Sequence, residues 1–275
     1  MKIVILRGGK ALRRRRGGSG SSTRERGVMA LGNGSGRWVL VNMSPGVAHQ
    51  LDSDLRLDSH LGLPEPEVRA VVLTDAQVDH VGGLLSLRDG APIDLYATPA
   101  VFEQLTTALP VLPVLQHYCG VHWRVVPVAG DRRVASFRVE GMPSLEFTAV
   151  ATQSPLPPHL AHMARGEQPQ VGDSIALAVQ DLATGQRVFC APGLAQIGAT
   201  EFEWMREADC LLLDNLLPQA GTAGATATHQ PWLDLLRGMP ARHKVLFADE
   251  PALAAQPGWA EQGIALAYDG MEIEL

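Results

Sequence analysis

The chain is short of the features that would fix its class at a glance. It has only three cysteines, Cys119, Cys190 and Cys210, far apart and in no paired spacing. That excludes a disulfide framework and a zinc knuckle. Strand-like, apolar neighbours at Cys190 and Cys210 point to buried thiols in a reducing compartment. No uninterrupted apolar run approaches the ~20 residues that a membrane-spanning helix needs, so no membrane partner is expected. The opening MKIVILRGG has no small-residue cleavage site after its short apolar run and reads as a strand, which makes the cytoplasm the expected location. Positive charge is in deficit: the formal net charge is −6, which disfavours nucleic acid as a partner. Gly17-Gly18-Ser19-Gly20 is followed by neither Lys-Ser/Thr nor a helix, so it is no phosphate cradle. Ser44 and Ser154 lack a histidine and carboxylate at elbow spacing, which argues against a serine hydrolase.

What is present is a core. Of 275 residues, 46% are hydrophobic and 19% charged, ample for burial and unlike a disordered chain. Strands are expected at Lys2–Leu6, Arg37–Asn42, Val68–Leu73, Ile93–Thr98, Trp123–Val128, Ser136–Val139 and Leu145–Ala151. Others follow at Ile175–Val179, Arg187–Cys190, Cys210–Leu213, Lys244–Phe247 and Ile264–Tyr268. Helices are expected from Pro99 to about Leu109, with Thr98 as cap, and at Glu201–Glu207, Trp232–Gly238 and Ala252–Gln262. Thr184-Gly185 makes a hairpin turn. Arg13–Arg16 with the following Gly/Ser run reads as a solvated surface loop or, functionally, an anion-binding arm. The proline-rich loop Ser154–Gly172 is long enough to suggest function, with His159 and His162 either in a lid or solvated. No linker divides the chain, so one domain spans 1–275. Mixed sheets with interspersed helices fit an αββα sandwich or two open α/β sheets packed together, and periodicity does not choose between them.

The chemistry concentrates in Val71-Val72-Leu73-Thr74-Asp75-Ala76-Gln77-Val78-Asp79-His80, followed by Val81-Gly82-Gly83-Leu84. A buried strand runs out at a sheet's carboxyl edge, where ligands bind. Asp75, Gln77 and Asp79 alternate and share a side if the chain stays extended; His80 joins them only if the strand breaks. Asp79 and His80 suit a divalent metal. The plainer alternative is a polar turn in which Asp79 caps a helix. Gly82-Gly83 allows close packing behind the turn. His117 is expected to be packed or hydrogen-bonded.

This loop resembles the His-x-His-x-Asp-His signature of metallo-β-lactamase proteins, in the version of the B-protein family of pyrroloquinoline quinone (PQQ) biosynthesis, where Asp75 and Gln77 replace the first two histidines. Val41-Asn42-Met43-Ser44-Pro45, Leu84–Arg88, Val114–Val121, Gly172-Asp173-Ser174-Ile175-Ala176-Leu177, Ala191-Pro192-Gly193-Leu194 and Ala267–Ile273 resemble that family in order. The resemblance implies a metallo-β-lactamase-like, four-layer αββα sandwich of α/β class. It also implies an iron-dependent oxygenase that hydroxylates the tyrosine ring of a Glu-Tyr precursor. Asp75, Gln77 and Asp214 are then the catalytic candidates. Asp79, His80, His229 and Asp249 are the metal candidates, holding Fe(II) or Zn at one position. Ser44, Asp173, Ser174 and Gly193 of the matching segments, with Ser154, are candidate substrate-binding residues.

Three departures qualify the resemblance. The family's N-terminal Cys-x-Cys-x-x-Cys zinc cluster is missing, because no cysteine precedes Cys119. No structural zinc is therefore expected, and residues 10–36 are expected as a flexible loop in its place. Ala248 falls where the family's late strand carries a metal-binding histidine, leaving Asp249 or Glu250 as substitutes. The segment after Asp214 is shortened. A non-catalytic carrier of PQQ or its precursor is the alternative function, and a zinc hydrolase the remote one. The expected partner is a small molecule or dipeptide precursor, with a homodimer left open.

Overall fold

Alternation along the strands sorts side chains into three separate apolar clusters, and those clusters define the layers. The computed structural model describes residues 1–8, 25–33, 37–47, 69–88, 92–154, 156–161, 169–194, 196–214, 230–247 and 263–275. In β1 (Lys2–Gly8), Ile3 and Ile5 face one cluster while Val4 and Leu6 face another. This is the period-two arrangement of a strand covered on both sides.

The chain continues through β2 (Arg26–Gly32), β3 (Trp38–Val41), β4 (Arg69–Val72), β5 (Ile93–Ala97) and β6 (Val121–Val125). With β14 (Met271–Glu274) these form one seven-stranded sheet in the order β14-β1-β2-β3-β4-β5-β6. The second sheet holds β7 (Val134–Phe137), β8 (Leu145–Ala151), β9 (Ile175–Asp181), β10 (Arg187–Ala191), β11 (Cys210–Asp214), β12 (His243–Phe247) and β13 (Ile264–Leu266), in the order β13-β12-β11-β10-β9-β8-β7. Each sheet is half antiparallel and half parallel: β3 to β6 run parallel in the first, β10 to β13 in the second.

The largest cluster lies between the sheets, with Ile5, Met29 and Val41 from one side against Phe147, Leu177, Leu212 and Phe247 from the other. A second cluster packs the outer face of the first sheet against Val101 and Leu105 of the helix Pro99–Thr107 and Leu112 and Leu115 of the helix Val111–Leu115. The third packs the other sheet against Met205 of the helix Ala199–Arg206 and Leu236 of the helix Gln230–Gly238. The result is a helix–sheet–sheet–helix sandwich. Each fully buried Leu, Ile or Phe contributes about 1.5–3 kcal/mol toward it.

Local signals held where they were strong. Thr98 caps the helix Pro99–Thr107, its Oγ1 accepting from Val101 N at 3.2 Å while donating to Gly172 O at 2.6 Å. β6 and β7 begin two residues earlier than expected, and two further strands were not expected at all. β2 occupies part of the stretch 10–36 expected as flexible loop, because it pairs with both β1 and β3 and buries Val28, Met29, Ala30 and Leu31. β14 was not anticipated in its four residues and exists by pairing with β1. His117, expected to be packed or hydrogen-bonded, is exposed and so not packed, just after the helix Val111–Leu115. Residues 10–24, with Arg13–Arg16, and the expected helix over 252–262 lie outside the described residues.

Candidate functional site

The parallel strands of both sheets deliver their carboxyl ends to one edge, and the polar residues collect there. β4 ends at Val72, and Leu73 is held by Tyr96 O at 2.9 Å before the chain turns. Thr74 and Asn42, each just past a parallel strand, lock together. Asn42 Oδ1 accepts from Thr74 N at 3.0 Å, and its Nδ2 donates to Thr74 Oγ1 at 2.9 Å and to Gly27 O at 3.1 Å. Asn42 adopts φ 62°, a left-handed conformation that asparagine tolerates better than most side chains. Thr74 O accepts from Ile175 N at 2.9 Å, which joins the two sheets beneath the site.

Beyond Asp75 the chain turns, and the short helix Val78–Val81 swings His80 back. One oxygen of Asp75 then serves two donors: Gln77 N at 2.9 Å and His80 Nδ1 at 2.7 Å. A polar turn is present, with Asp75 and not Asp79 accepting its backbone N–H, but the short helix has no side-chain cap. Asp79 is exposed and Gln77 half-buried, whereas Asp75 and His80 are 2% and 6% exposed. Gly83 keeps the turn against the segment after β3, since a β-carbon there would stand 2.1 Å from Ser44 O.

Burial pulls the His80 pKa down. The charge and hydrogen bond of Asp75, then the charges of Asp214 and Asp79, outweigh burial and leave the imidazole above its ordinary value. With Nδ1 committed to a carboxylate, Nε2 is the free ligand atom, the tautomer arrangement common to metal-binding histidines. Two glycines in left-handed conformations keep the surroundings clear. A β-carbon on Gly27 (φ 72°) would lie 3.2 Å from His80 Nε2 and 2.5 Å from Pro192 Cβ. One on Gly193 (φ 90°) would lie 3.2 Å from Asp75 Oδ2 and 3.5 Å from Ser154 Oγ.

Asp214 ends β11 on the other sheet, and its Oδ1 is 3.1 Å from Arg26 Nε at the start of β2. Among the described residues no group of three or more His, Cys, Asp and Glu converges as a ready-made metal cluster. His229 and Asp249, both metal candidates, lie outside the described residues.

The structure thus gathers Asp75, His80, Asp214, Gly193 and Ser154. Ser174 is buried just before β9 and pairs with Thr152, its Oγ 3.0 Å from Thr152 Oγ1. Two candidate substrate contacts are otherwise engaged. Ser44 is fully buried and donates to Glu25 at 3.0 Å, and Asp173 turns to the helix Pro99–Thr107, accepting from Gln104 Nε2 at 2.6 Å. Sequence reasoning missed Arg26, Gly27, Asn42 and Thr74. Only the Asn after an apolar strand carried a readable signal.

Comparison with known proteins identifies the family. Residues 37–247 match the beta-lactamase superfamily domain. The coenzyme PQQ synthesis protein B of Azotobacter vinelandii is 32% identical over 293 aligned positions, covering 95% of this chain and 91% of that protein. Its counterpart in Pseudomonas putida strain W619 is 34% identical, over 93% of this chain and 89% of that one. Among solved structures, Zn(2+)-bound PqqB from Methylobacterium extorquens superposes with a TM-score of 0.70 at 20% identity, over 100% of both chains. No helix among the described residues is long and apolar enough to cross a membrane. The strand order, the loop from Asp75 to His80 and these relatives lead to one conclusion: the chain belongs to the coenzyme PQQ synthesis protein B family, within the beta-lactamase superfamily.

Proposed function

We propose that this chain acts in pyrroloquinoline quinone biosynthesis as an iron-dependent hydroxylase of a tyrosine-containing Glu-Tyr precursor. The names of its relatives support the pathway. The observation that carries the chemistry is the Asp75–His80 pair. It fixes the imidazole through Nδ1 and leaves Nε2 as the nitrogen beside Gly27, where a β-carbon would crowd it at 3.2 Å. His80 is the described nitrogen donor that a bound metal would need; no group of three or more His, Cys, Asp and Glu converges on it among the described residues, and the metal candidates His229 and Asp249 lie outside them. Iron bound there would supply dioxygen activation, for which open coordination positions are required. The protein's own part is to hold His80 in one tautomer through Asp75, to keep Nε2 accessible at Gly27, and to leave Gly193 and Ser154 beside Asp75 Oδ2 as the wall against which the precursor lies. Zinc, bound in the structurally similar M. extorquens protein, is the competing metal.

A second reading, a non-catalytic carrier of PQQ or its precursor, is favoured by the Arg26–Asp214 ion pair, which already gives one carboxylate a cation. The experiment is metal analysis of protein purified anaerobically, with iron and zinc restored separately and Asp79→Ala and His80→Ala as controls. Near-stoichiometric iron, lost in both variants, with oxygen incorporated into a Glu-Tyr peptide by mass spectrometry, supports the hydroxylase. No retained metal, together with direct binding of PQQ, supports the carrier.

A further inference from the structure

We propose that the end of the sandwich opposite Asp75 and His80 carries a second binding site, an open cleft between the two sheets that takes an organic carboxylate on Arg37 and Arg138. It depends on no metal and on no part of the proposed reaction. The cleft has a volume of about 910 Å³, in the range of small-molecule sites. Arg37 immediately precedes β3, whereas Asn42 follows it at the carboxyl edge. Five residues of extended chain, roughly 16 Å, separate the two ends.

Both sheets build the cleft. The first supplies Arg37, which strand alternation puts on the same face as Val39, a member of the cluster between the sheets. The second supplies the turn joining β7 to β8, and that turn is fixed. Met142 N donates to Val139 O and Leu145 N to Met142 O, both at 3.1 Å. Glu140 N donates to the Tyr96 hydroxyl at 2.9 Å, and Leu182 N to Ser144 O at 2.8 Å. Gly141 in this turn has φ 79°, and a β-carbon on it would stand 2.9 Å from Arg37 Nη1. Its missing side chain is what lets the guanidinium lie against the turn. Arg138 is tied to the same segment, Nη1 donating to Pro143 O at 3.0 Å.

The charges lining the cleft leave a cation over. Glu140 is taken by Arg124 at 2.8 Å, and Glu146 by Arg138 at 3.2 Å. Arg37 has no ion-pair partner among the described residues. In the wall of the same cleft, Ser144 Oγ is shielded from water and has no hydrogen-bond partner among them either. Shielded hydroxyls seldom stay unpaired. Val139 and Pro143 add apolar wall. A guanidinium fork, an unpaired hydroxyl and an apolar wall together suit a carboxylate carried on an apolar body. Because Arg37 is exposed, water screens its attraction, and a Kd of about 1 mM is expected.

The test is calorimetric titration of the full-length protein with isophthalate, benzoate and inorganic phosphate. Isophthalate is expected to bind more tightly than benzoate, which has one carboxylate, and than phosphate, which has no apolar body. Arg37→Met should weaken isophthalate about tenfold, Arg138→Met by a similar factor and Ser144→Ala by about threefold. Arg206→Met removes an exposed arginine on the helix Ala199–Arg206 and should bind as wild type does. Thermal melts check folding. Arg37→Lys is the milder variant, expected to lose about threefold because it keeps the charge without the fork. Unchanged affinity in Arg37→Met and Arg37→Lys overturns the site. An equal loss in Arg206→Met also overturns it, because the attraction is then to positive charge in general. Phosphate binding as tightly as isophthalate overturns the carboxylate assignment. Binding lost in His80→Ala but kept in Arg37→Met puts the ligand at the other edge and overturns the location. No binding at about 10 mM, ten times the expected Kd, removes the site altogether.

Discussion

Asp75 Oδ1 lies 2.7 Å from His80 Nδ1 and 2.9 Å from Gln77 N, so a single oxygen fixes both the imidazole and the turn that delivers it. Asp75→Ala removes both bonds within a buried setting, and each orphaned donor costs about 1–3 kcal/mol. Urea denaturation should show a loss of about 2–6 kcal/mol for the two together, and His80-dependent metal affinity should fall by about 10–100-fold. Asp75→Asn, which keeps an acceptor, should lose less stability. Equal stability of Asp75→Ala and wild type would refute the structural role.

Asn42 combines a left-handed backbone with side-chain bonds to Thr74 and Gly27. Asn42→Gly keeps the backbone free of strain but abandons Thr74 N, whereas Asn42→Ala does the latter and adds strain. Both should be destabilised, alanine the more, by about 1 kcal/mol over glycine. Chemical denaturation of the two variants side by side measures the difference, and a reversed order would show that the backbone conformation is not the constraint.

Gly83 and Gly238 give a contrast within one residue type. A β-carbon on Gly83 would meet Ser44 O at 2.1 Å and Ser44 C at 2.6 Å, both backbone atoms that cannot yield cheaply. Gly83→Ala should cost about 2–3 kcal/mol or more, visible as a lowered melting temperature or insoluble expression. A β-carbon on Gly238, at the end of its helix, would meet nothing within 4 Å. Gly238→Ala should be neutral or stabilising by up to ~1 kcal/mol.

The thiols should be silent in the native protein. Burial, then the Asp209 charge, pushes Cys210 up to about 12, and burial raises Cys190 as well. Cys190 donates toward Met29 Sδ at 3.5 Å, and Cys119 toward Leu115 O. At pH 8 a thiol with such a pKa is ionised in roughly one molecule in ten thousand. A disulfide reagent should therefore read close to zero thiols in native protein and three after denaturation. Fast native reaction of two or more would contradict the packing.

The buried parallel strands were the most legible part of the molecule, because strands covered on both faces carry continuous apolar runs such as Val71-Val72-Leu73. Thr98-Pro99 was readable for the same local reason: cap and first-turn residues act within four positions. β2 was not, since its apolar residues stand between Arg26-Gly27 and Gly32-Asn33 and owe their strand state to partners on either side. The site divides the same way. Asp75 and His80 lie five residues apart and were both marked. Arg26 meets Asp214 only because the two sheets bring their edges together, and no local pattern records a contact of that kind.

β1 pairs with β14, and Arg7 near the end of β1 reaches Asp269 just before it. The sheet carrying Arg26 and Asp75 is therefore finished by residues made long after β1. On a translating ribosome, β1 must wait through the synthesis of the entire second sheet with one backbone edge bare. During that interval the apolar β1 is open to wrong pairing. Production of this protein should be limited by how well β1 is shielded before Met271–Glu274 emerges, more than by the stability of the finished sandwich.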